Sequence, residues 1–156
     1  MKWTLYDFKS ATEPWFDQAE QTYFKKINHY AKFEITHLKT NKSDRNQASL
    51  KIKFEEDGLL QKITNDDFVI LFDEKGQKHD SISFSKLITK AQDSGKKRGV
   101  FIIGGAFGVS DVIKKSASVT VTLSDMVMNH LVAETVVLEQ VYRAFTIINR
   151  IPYHNI

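Results

Sequence analysis

A glycine-rich stretch is one place where the chain could bind a ligand. Gly104-Gly105-Ala106-Phe107-Gly108 directly follows the apolar run Val100-Phe101-Ile102-Ile103. Glycine has no side chain and tolerates positive φ angles, so backbone N–H and C=O groups in such a loop can approach a ligand closely. A tight strand-to-helix turn explains the same residues equally well. The spacing matches neither a phosphate-binding loop nor a dinucleotide-binding loop, which disfavours a nucleoside triphosphate or a dinucleotide.

A group of polar side chains near the C-terminus could transfer protons or bind anions. His130, Arg143, Tyr153 and His154 belong to it, and Glu139 lies four residues before Arg143. At that spacing a surface ion pair on a helix is the simpler explanation, and His130 alone is typical of a helix start. Taken by themselves, these residues favour the structural interpretation.

Metal and thiol chemistry receive no support from the sequence. The chain has no cysteine, which excludes disulfides, thiolate metal sites and a cysteine nucleophile. Its five histidines are scattered, and His37 lies on an alternating strand where packing is the more frequent role. We therefore predict no metal.

Alternating strand and helix patterns must position these residues. Two apolar runs, Asp67 to Asp73 and Val100 to Ile103, are typical of strands buried on both faces, and Glu74-Lys75-Gly76 is predicted to be a turn. The other predicted strands are Lys2 to Phe8, Ala31 to Leu38 and Ser118 to Leu123. Helices are predicted from Pro14 to about Asn28, Ala48 to Ile63, Ser83 to Ser94, a short one from Ser110-Asp111, and His130 to Asn149, with a polar loop at Lys39 to Gln47.

This order predicts an α/β fold with a mostly parallel sheet flanked by helices. With 156 residues, we expect one domain over 1–156. In such sheets ligands bind beyond the carboxyl ends of the strands. The loops after Phe72, Ile103 and Leu123 are therefore the expected site, although Ser124, Asp125 and the methionines near them are equally explained as helix cap and core.

Charge and hydropathy limit where the protein acts. The net charge of +3 permits an anionic partner without requiring one. The N-terminus lacks a signal-peptide pattern, and no apolar run has the roughly 18 residues of a membrane span. We expect a cytoplasmic protein without membrane association.

Four motifs together resemble one protein family. They are Ile102-Ile103-Gly104-Gly105-Ala106-Phe107-Gly108, Leu123-Ser124-Asp125-Met126-Val127-Met128-Asn129-His130, Leu138-Glu139-Gln140-Val141-Tyr142-Arg143-Ala144-Phe145 and Asn149-Arg150-Ile151-Pro152-Tyr153-His154. In this order and at these separations they resemble the RlmH family, pseudouridine N3-methyltransferases of large-subunit ribosomal RNA in the SPOUT superfamily.

The resemblance implies a SPOUT-type α/β knot, in which a deep C-terminal trefoil knot wraps S-adenosylmethionine. The implied cofactor residues are Phe72, Gly104, Gly105, Gly108, Leu123, Ser124, Asp125, Met126, Val127 and Met128. It also implies an antiparallel homodimer through the C-terminal helices, which would cover the wide apolar face of the last predicted helix.

The implied reaction is methylation of N3 of a pseudouridine in a hairpin loop of 23S ribosomal RNA within the ribosome. The implied catalytic residues are His130, Arg143, Tyr153 and His154, with Arg143 orienting phosphate or base and the Tyr153-His154 tail acting as a lid. Phosphates could be held, or the charges simply solvated, at Lys96, Lys97, Arg98, Lys114, Lys115 and Arg150.

Two alternatives of other classes remain at this point. One is a non-catalytic RNA-binding or ribosome-associated module with the same knotted fold. The other is a small-molecule α/β enzyme whose glycine loop binds a nucleotide at a helix N-terminus.

Overall fold

The structure, a computed structural model, describes residues 1–8, 11–40 and 47–155. Strands and helices alternate along these residues in the predicted order. The strands are β1 (Lys2–Asp7), β2 (Phe33–His37), β3 (Asp67–Lys78), β4 (Arg98–Ile103) and β5 (Val119–Thr122). The helices are α1 (Pro14–Asn28), α2 (Ala48–Leu60), α3 (Ser81–Gln92), α4 (Asp111–Ser116) and α5 (His130–Ile148). Most of the predicted polar loop falls on residues 41–46, which lie outside the described residues.

The strands form one parallel sheet in the order β2-β1-β4-β3-β5. The predicted α/β class and parallel sheet are thereby confirmed. All strands run in one direction, and Phe72 within β3 pairs with Ile103, the last residue of β4, and with Val121 of β5, so the segment after Phe72 lies beside the loops that follow β4 and β5. The sheet therefore brings the three expected ligand segments together, although the one after Phe72 is part of β3 rather than a loop. The trefoil knot fits this strand order and stays a prediction of the resemblance.

Large side chains bury both faces of the sheet. On one face Trp3 stacks on Phe101 with ring centroids 4.9 Å apart, and Phe145 of α5 meets Trp3 edge-on. On the other face Leu59 of α2 and Ile113 of α4 pack with the apolar residues of β3 and β4. Helices on both faces explain why β3 and β4 read as continuous apolar runs.

Most of the apolar stripe of α5 is covered within the chain. Val137, Val141 and Phe145 are buried against the sheet and its neighbouring helices, whereas Val132 is 42% exposed. The width of the stripe is thus explained largely by packing inside one chain. No described helix has the length and hydropathy to cross a bilayer.

The predicted turn at Glu74-Lys75-Gly76 is wrong, because β3 continues to Lys78. Phe72 and Gln77 both pair with Val121, so the register between β3 and β5 shifts between these two residues. A Cβ on residue 76 would lie 2.5 Å from the Val121 carbonyl carbon. Gly76 therefore permits close strand approach rather than chain reversal.

Helix α2 also departs from its predicted pattern. It ends at Leu60 rather than Ile63, and its apolar Leu50 and Phe54 are 63% and 45% exposed. The carboxylate of Glu55 is buried instead. A buried carboxylate needs hydrogen-bond partners, and those of Glu55 lie beside the glycine loop.

Candidate functional site

The segment of β3 around Phe72 and the loops after β4 and β5 enclose a cavity of about 560 Å³. Its volume lies within the range of small-molecule and cofactor sites. All the residues predicted to contact the cofactor line it, namely Phe72, Gly104, Gly105, Gly108, Leu123, Ser124, Asp125, Met126, Val127 and Met128. His130 lines the same cavity. The structure thus brings together three segments separated by up to about fifty residues of sequence.

Glycine is needed in the wall of this cavity for close packing. A Cβ on Gly104 would lie 2.6 Å from Val109 Cγ1, and a Cβ on Gly105 would lie 2.4 Å from Glu55 Oε1. Gly108 has a φ of +80°, the left-handed region that favours glycine. The loop is therefore set by contacts behind it, which leaves its other side to the cavity.

Glu55 holds the glycine loop from behind. It accepts hydrogen bonds from the Thr40 hydroxyl at 2.7 Å and from the backbone N–H of Gly105. Burial raises the pKa of Glu55, and these hydrogen bonds offset that effect only in part. Sequence reasoning missed this residue because it lies on a helix whose apolar spacing pointed to other positions.

The loop from Leu123 to Asn129 forms the open rim of the cavity. Ser124 Oγ accepts the Met126 N–H at 2.9 Å, and Asn129 caps α5 by accepting the Leu131 N–H at 2.9 Å. Met126 and Val127 are 81% and 88% exposed. The methionine is therefore not core filler, and the rim presents apolar side chains beside the cavity mouth.

Behind His130 lies a buried carboxylate that the sequence did not single out. Asp7, the last residue of β1, is fully buried, and its Oδ2 lies 3.3 Å from His130 Nε2. Its Oδ1 contacts His37 Nδ1, and the Asp7↔His37 pairing of β1 with β2 sets this contact. In the sequence, the one feature that could have indicated Asp7 is a carboxylate at the end of a buried strand, at the edge of the sheet where ligands bind.

These groups belong to a larger charged cluster. His37 Nε2 lies 2.9 Å from Glu20 of α1, and Glu134 of α5 shares a hydrogen bond with Asp7. Burial would raise the pKa of Asp7, but hydrogen bonds from His130, His37 and Glu134 outweigh it and hold the pKa well below its usual range. The hydrogen bond to Asp7 is the main reason why the pKa of His37 rises to about 9.

His37 is half-buried, in line with packing, but its ring also faces two carboxylates. Two sets of three residues in the described chain could hold a metal ion, Asp7-His130-Glu134 and Glu20-His37-Glu134. Internal hydrogen bonds and ion pairs account for both sets. The absence of a metal stays a prediction.

The remaining predicted catalytic residues form a second cluster at the far end of α5. Arg143 binds Glu139 through Nη2 at 2.6 Å and Nε at 3.1 Å. Tyr153 donates its hydroxyl to the same carboxylate at 3.0 Å, and His154 Nδ1 lies 3.2 Å from Arg143 Nη1. The expected ion pair therefore exists, and it also anchors the C-terminal tail.

The two clusters are well separated within one chain. Arg143 lies 13 residues beyond His130 on the same helix, about 20 Å along its axis at about 1.5 Å per residue. The structure thus groups His130 with the cavity and groups Arg143, Tyr153 and His154 with one another. It does not unite the four predicted catalytic residues.

The basic residues predicted to contact phosphate differ in how many of their donors are already used within the protein. Arg98 is committed to Asp67 through Nε at 2.9 Å and Nη2 at 2.8 Å. Lys97 pairs with Asp66 at 3.3 Å, and Lys96 donates to the Asn65 carbonyl at 2.6 Å. Lys114, Lys115 and Arg150 are exposed. Arg98 is accordingly a structural residue, and the other cations keep their phosphate role as a prediction.

Comparison with known proteins identifies the family. The family model described as "Predicted SPOUT methyltransferase" matches residues 1–154. The "Ribosomal RNA large subunit methyltransferase H" of Bdellovibrio bacteriovorus is 51% identical over 156 residues, 100% of both chains. The protein of the same description from Christiangramia forsetii is 39% identical over 137 residues, 85% of each chain.

Among solved structures, the SpoU methyltransferase AviRb of Streptomyces viridochromogenes, in complex with AdoMet, matches with a TM-score of 0.47 and 12% identity. That match covers 95% of this chain and 60% of the other. The full-length sequence matches are decisive, and they agree with the motifs that line the cavity. The chain belongs to the RlmH family of SPOUT methyltransferases.

Proposed function

We propose that this protein transfers a methyl group from S-adenosylmethionine to N3 of a pseudouridine in a hairpin loop of 23S ribosomal RNA. The observation that carries the proposal is one cavity, formed by the Phe72 segment of β3 and the loops after β4 and β5, whose lining contains every family cofactor position. The full-length relatives described as ribosomal RNA large subunit methyltransferase H supply the substrate class.

The cavity residues fit S-adenosylmethionine. The glycine loop offers backbone at positions where any Cβ would collide with Val109 or Glu55. Leu123 to Met128 supply further backbone groups and apolar side chains. When bound, this cofactor supplies a methyl group on a positively charged sulfur, already activated for transfer. The chain's own part is then to hold donor and acceptor in line and to exclude water.

The Arg143 cluster is suited to holding the RNA. Its guanidinium is fixed by Glu139 and lies 4.6 Å from the Tyr153 ring centroid. A fixed guanidinium can bind a phosphate or the edge of a base, and an aromatic ring can stack on an extruded base. Tyr153 and His154 would then cover the target base as a lid.

Because Arg143 and His130 lie about 20 Å apart along α5, one chain cannot place both on one base. A homodimer would unite them if α5 of each subunit pairs antiparallel with the other. Exposed Val132 and the partly exposed outer residues of α5 provide an apolar surface for this contact. We therefore include the family homodimer in the proposal.

The partner is RNA within the ribosome, and the place of action is the cytoplasm. With a net charge of only +3 per chain, binding to naked RNA should be weak and strongly salt-dependent. A preshaped ribosomal surface would compensate for the small charge.

The decisive experiment is methyl transfer from radiolabelled S-adenosylmethionine to ribosomes lacking the modification, free large subunits and a short RNA hairpin. Label on N3 of a 23S pseudouridine supports the proposal. Cofactor binding without label in any RNA refutes the assigned substrate. Absence of cofactor binding favours the non-catalytic RNA-binding module, and nucleotide binding in its place favours the small-molecule enzyme.

A further inference from the structure

The ring of His130 lies between the cavity and a buried anion. It lines the cavity, its side chain is 24% exposed, and its Nε2 lies 3.3 Å from Oδ2 of the fully buried Asp7. One edge of the imidazole therefore faces the protein interior.

The surroundings of Asp7 fix its charge. The pKa of His37 is raised to about 9, so this ring carries a positive charge at neutral pH and offsets the charge of Asp7. Hydrogen bonds from His130 and His37 hold the pKa of Asp7 well below its usual range. Asp7 is accordingly an anion that can only accept hydrogen bonds.

An accepting anion selects the tautomer of His130. Nε2 must carry the hydrogen that points at Asp7, and Nδ1 of the neutral ring then carries a lone pair. Among the hydrogen bonds of the described residues, none involves His130 Nδ1. This nitrogen is left for a ligand.

We propose that His130 is the base that takes the N–H proton of the acceptor nucleobase, and that Asp7 is the positioning residue that holds it in the required tautomer. The inference rests on the proposed function and assigns the proton acceptor in it. Carboxylate-histidine pairs in hydrolases follow the same logic with the two ring nitrogens exchanged: the carboxylate orients the ring and stabilises the imidazolium.

The step balances in atoms and charge. The N3–H proton moves to His130 Nδ1, and the electron pair left on N3 forms the new N–CH3 bond. The S–CH3 bond breaks with its electron pair kept by sulfur, which turns the sulfonium into a neutral thioether. The positive charge passes to the imidazolium, which faces Asp7. Because the step places a positive charge on the imidazole ring, a fixed anion beside that ring lowers the barrier.

Other carboxylates also lie around the His130 ring. Glu134 lies with its Oε2 3.9 Å from Nε2, and Glu55 of α2 is close enough to interact electrostatically with the ring. Neither is placed as Asp7 is, within hydrogen-bonding distance of Nε2. Glu20 reaches the cluster only through His37.

The experiment measures single-turnover methyl transfer for His130→Ala, Asp7→Asn and the double variant. We expect His130→Ala to lower the rate about 100-fold or more and Asp7→Asn about 10- to 100-fold, with cofactor affinity within about threefold of the parent. The double variant should be no slower than His130→Ala, because the two residues act as one unit. Losses that multiply, or an Asp7→Asn variant with the parental rate, would overturn the role of Asp7.

Asp67→Asn is the matched control. It removes another buried, ion-paired aspartate, but at the opposite end of the sheet, where it pairs with Arg98. It should lower stability while the transfer rate stays within about threefold of the parent. An equal loss of rate in this control would mean that loss of stability alone explains the Asp7 effect.

A second measurement needs no Asp7 variant. Long-range proton–nitrogen NMR of the parent protein, with His130 assigned by its absence in His130→Ala, reports the tautomer directly. A protonated Nε2 with a bare Nδ1 supports the inference, and the reverse tautomer refutes it. A parent protein that methylates no RNA refutes the proposed function and this inference with it, whereas an active parent with an active His130→Ala refutes the inference alone.

Discussion

Gly105 donates its backbone N–H to Glu55, and a Cβ on residue 105 would lie 2.4 Å from the Glu55 Oε1 atom. A helix on one face of the sheet thus fixes the loop that follows the central strand β4. The carboxylate itself is held by the Thr40 hydroxyl. The shape of the cavity wall therefore depends on a residue that does not line the cavity.

This contact predicts the effect of Gly105→Ala. The new methyl group would force either the loop or the buried Glu55 to move, so we expect cofactor affinity to fall at least about tenfold. Isothermal titration with S-adenosylmethionine measures it. Gly58→Ala is the control, because a Cβ there meets nothing within 4 Å and alanine favours helix. Unchanged affinity in Gly105→Ala would show that the loop tolerates displacement.

The close contact between Gly76 and β5 leads to a second prediction, which concerns stability. A Cβ there would lie 2.5 Å from the Val121 backbone, so Gly76→Ala must separate β3 from β5. We expect the free energy of unfolding to fall by about 1–3 kcal/mol, as for other overpacked sites. Urea unfolding provides the value, and Gly58→Ala should be neutral or stabilising. A Gly76→Ala variant as stable as the parent would mean that the strand end pairs loosely.

The sequence predicted the strand and helix order because hydrophobic periodicity dominates it. It failed at Gly76, where glycine usually signals a turn but here permits close strand contact. It failed at α2 because burial of Glu55 depends on a partner on β4's loop, which no local pattern contains. The start of α3 was placed at Ser83, where the Asp80 side chain accepts the Ser83 N–H and starts the helix at Ser81.

Arg143 carries the prediction that concerns the RNA. Arg143→Ala should lower methyl transfer about 100-fold or more while cofactor affinity stays within about threefold, because the residue is remote from the cavity of its own chain. Arg143→Lys should recover little, since a lysine cannot reproduce the paired contact with Glu139. Lys90→Ala, an exposed lysine on α3, is the control for loss of one charge. Equal loss of cofactor binding and transfer in Arg143→Ala would contradict a role confined to the acceptor.

His37 makes stability depend on pH. Its pKa rises from 6.5 to about 9 on folding, so its contribution is present in full below pH 6.5 and is lost as the pH rises to about 9. We expect the parent to lose about 3 kcal/mol of unfolding free energy across this window, and His37→Asn to lose much less. Urea titrations at several pH values test this. His29→Asn, at the exposed end of α1, should keep the parental dependence, and a flat parental profile would refute the prediction.

The Asp7 cluster shows why site residues are harder to predict than elements. Asp7 and His130 are 123 positions apart, and only the sheet order and the entry of α5 place them together. The segments that line the cavity were predictable because they lie at the ligand edge of neighbouring strands, whereas the resemblance to the family supplied the individual residues. Glu20, His37 and Glu134 come from three different elements, and no local pattern in the sequence connects them.

The separation of His130 from Arg143 predicts that two inactive variants will complement each other. In a mixed dimer of His130→Ala and Arg143→Ala subunits, a site built from both subunits would combine two altered residues on one side and two parental residues on the other. One site in each mixed dimer would therefore work. When the two variants are refolded or coexpressed in equal amounts, half of the dimers are mixed, so transfer should recover to about a quarter of the parental rate.

The control pairs the His130→Ala variant with a double variant that carries both His130→Ala and Arg143→Ala. These dimers contain no intact His130 and should stay inactive. Recovery is impossible if each chain builds its site alone, so a mixture no more active than its separate components would refute the shared site and leave the 20 Å gap along α5 to be closed by the RNA itself.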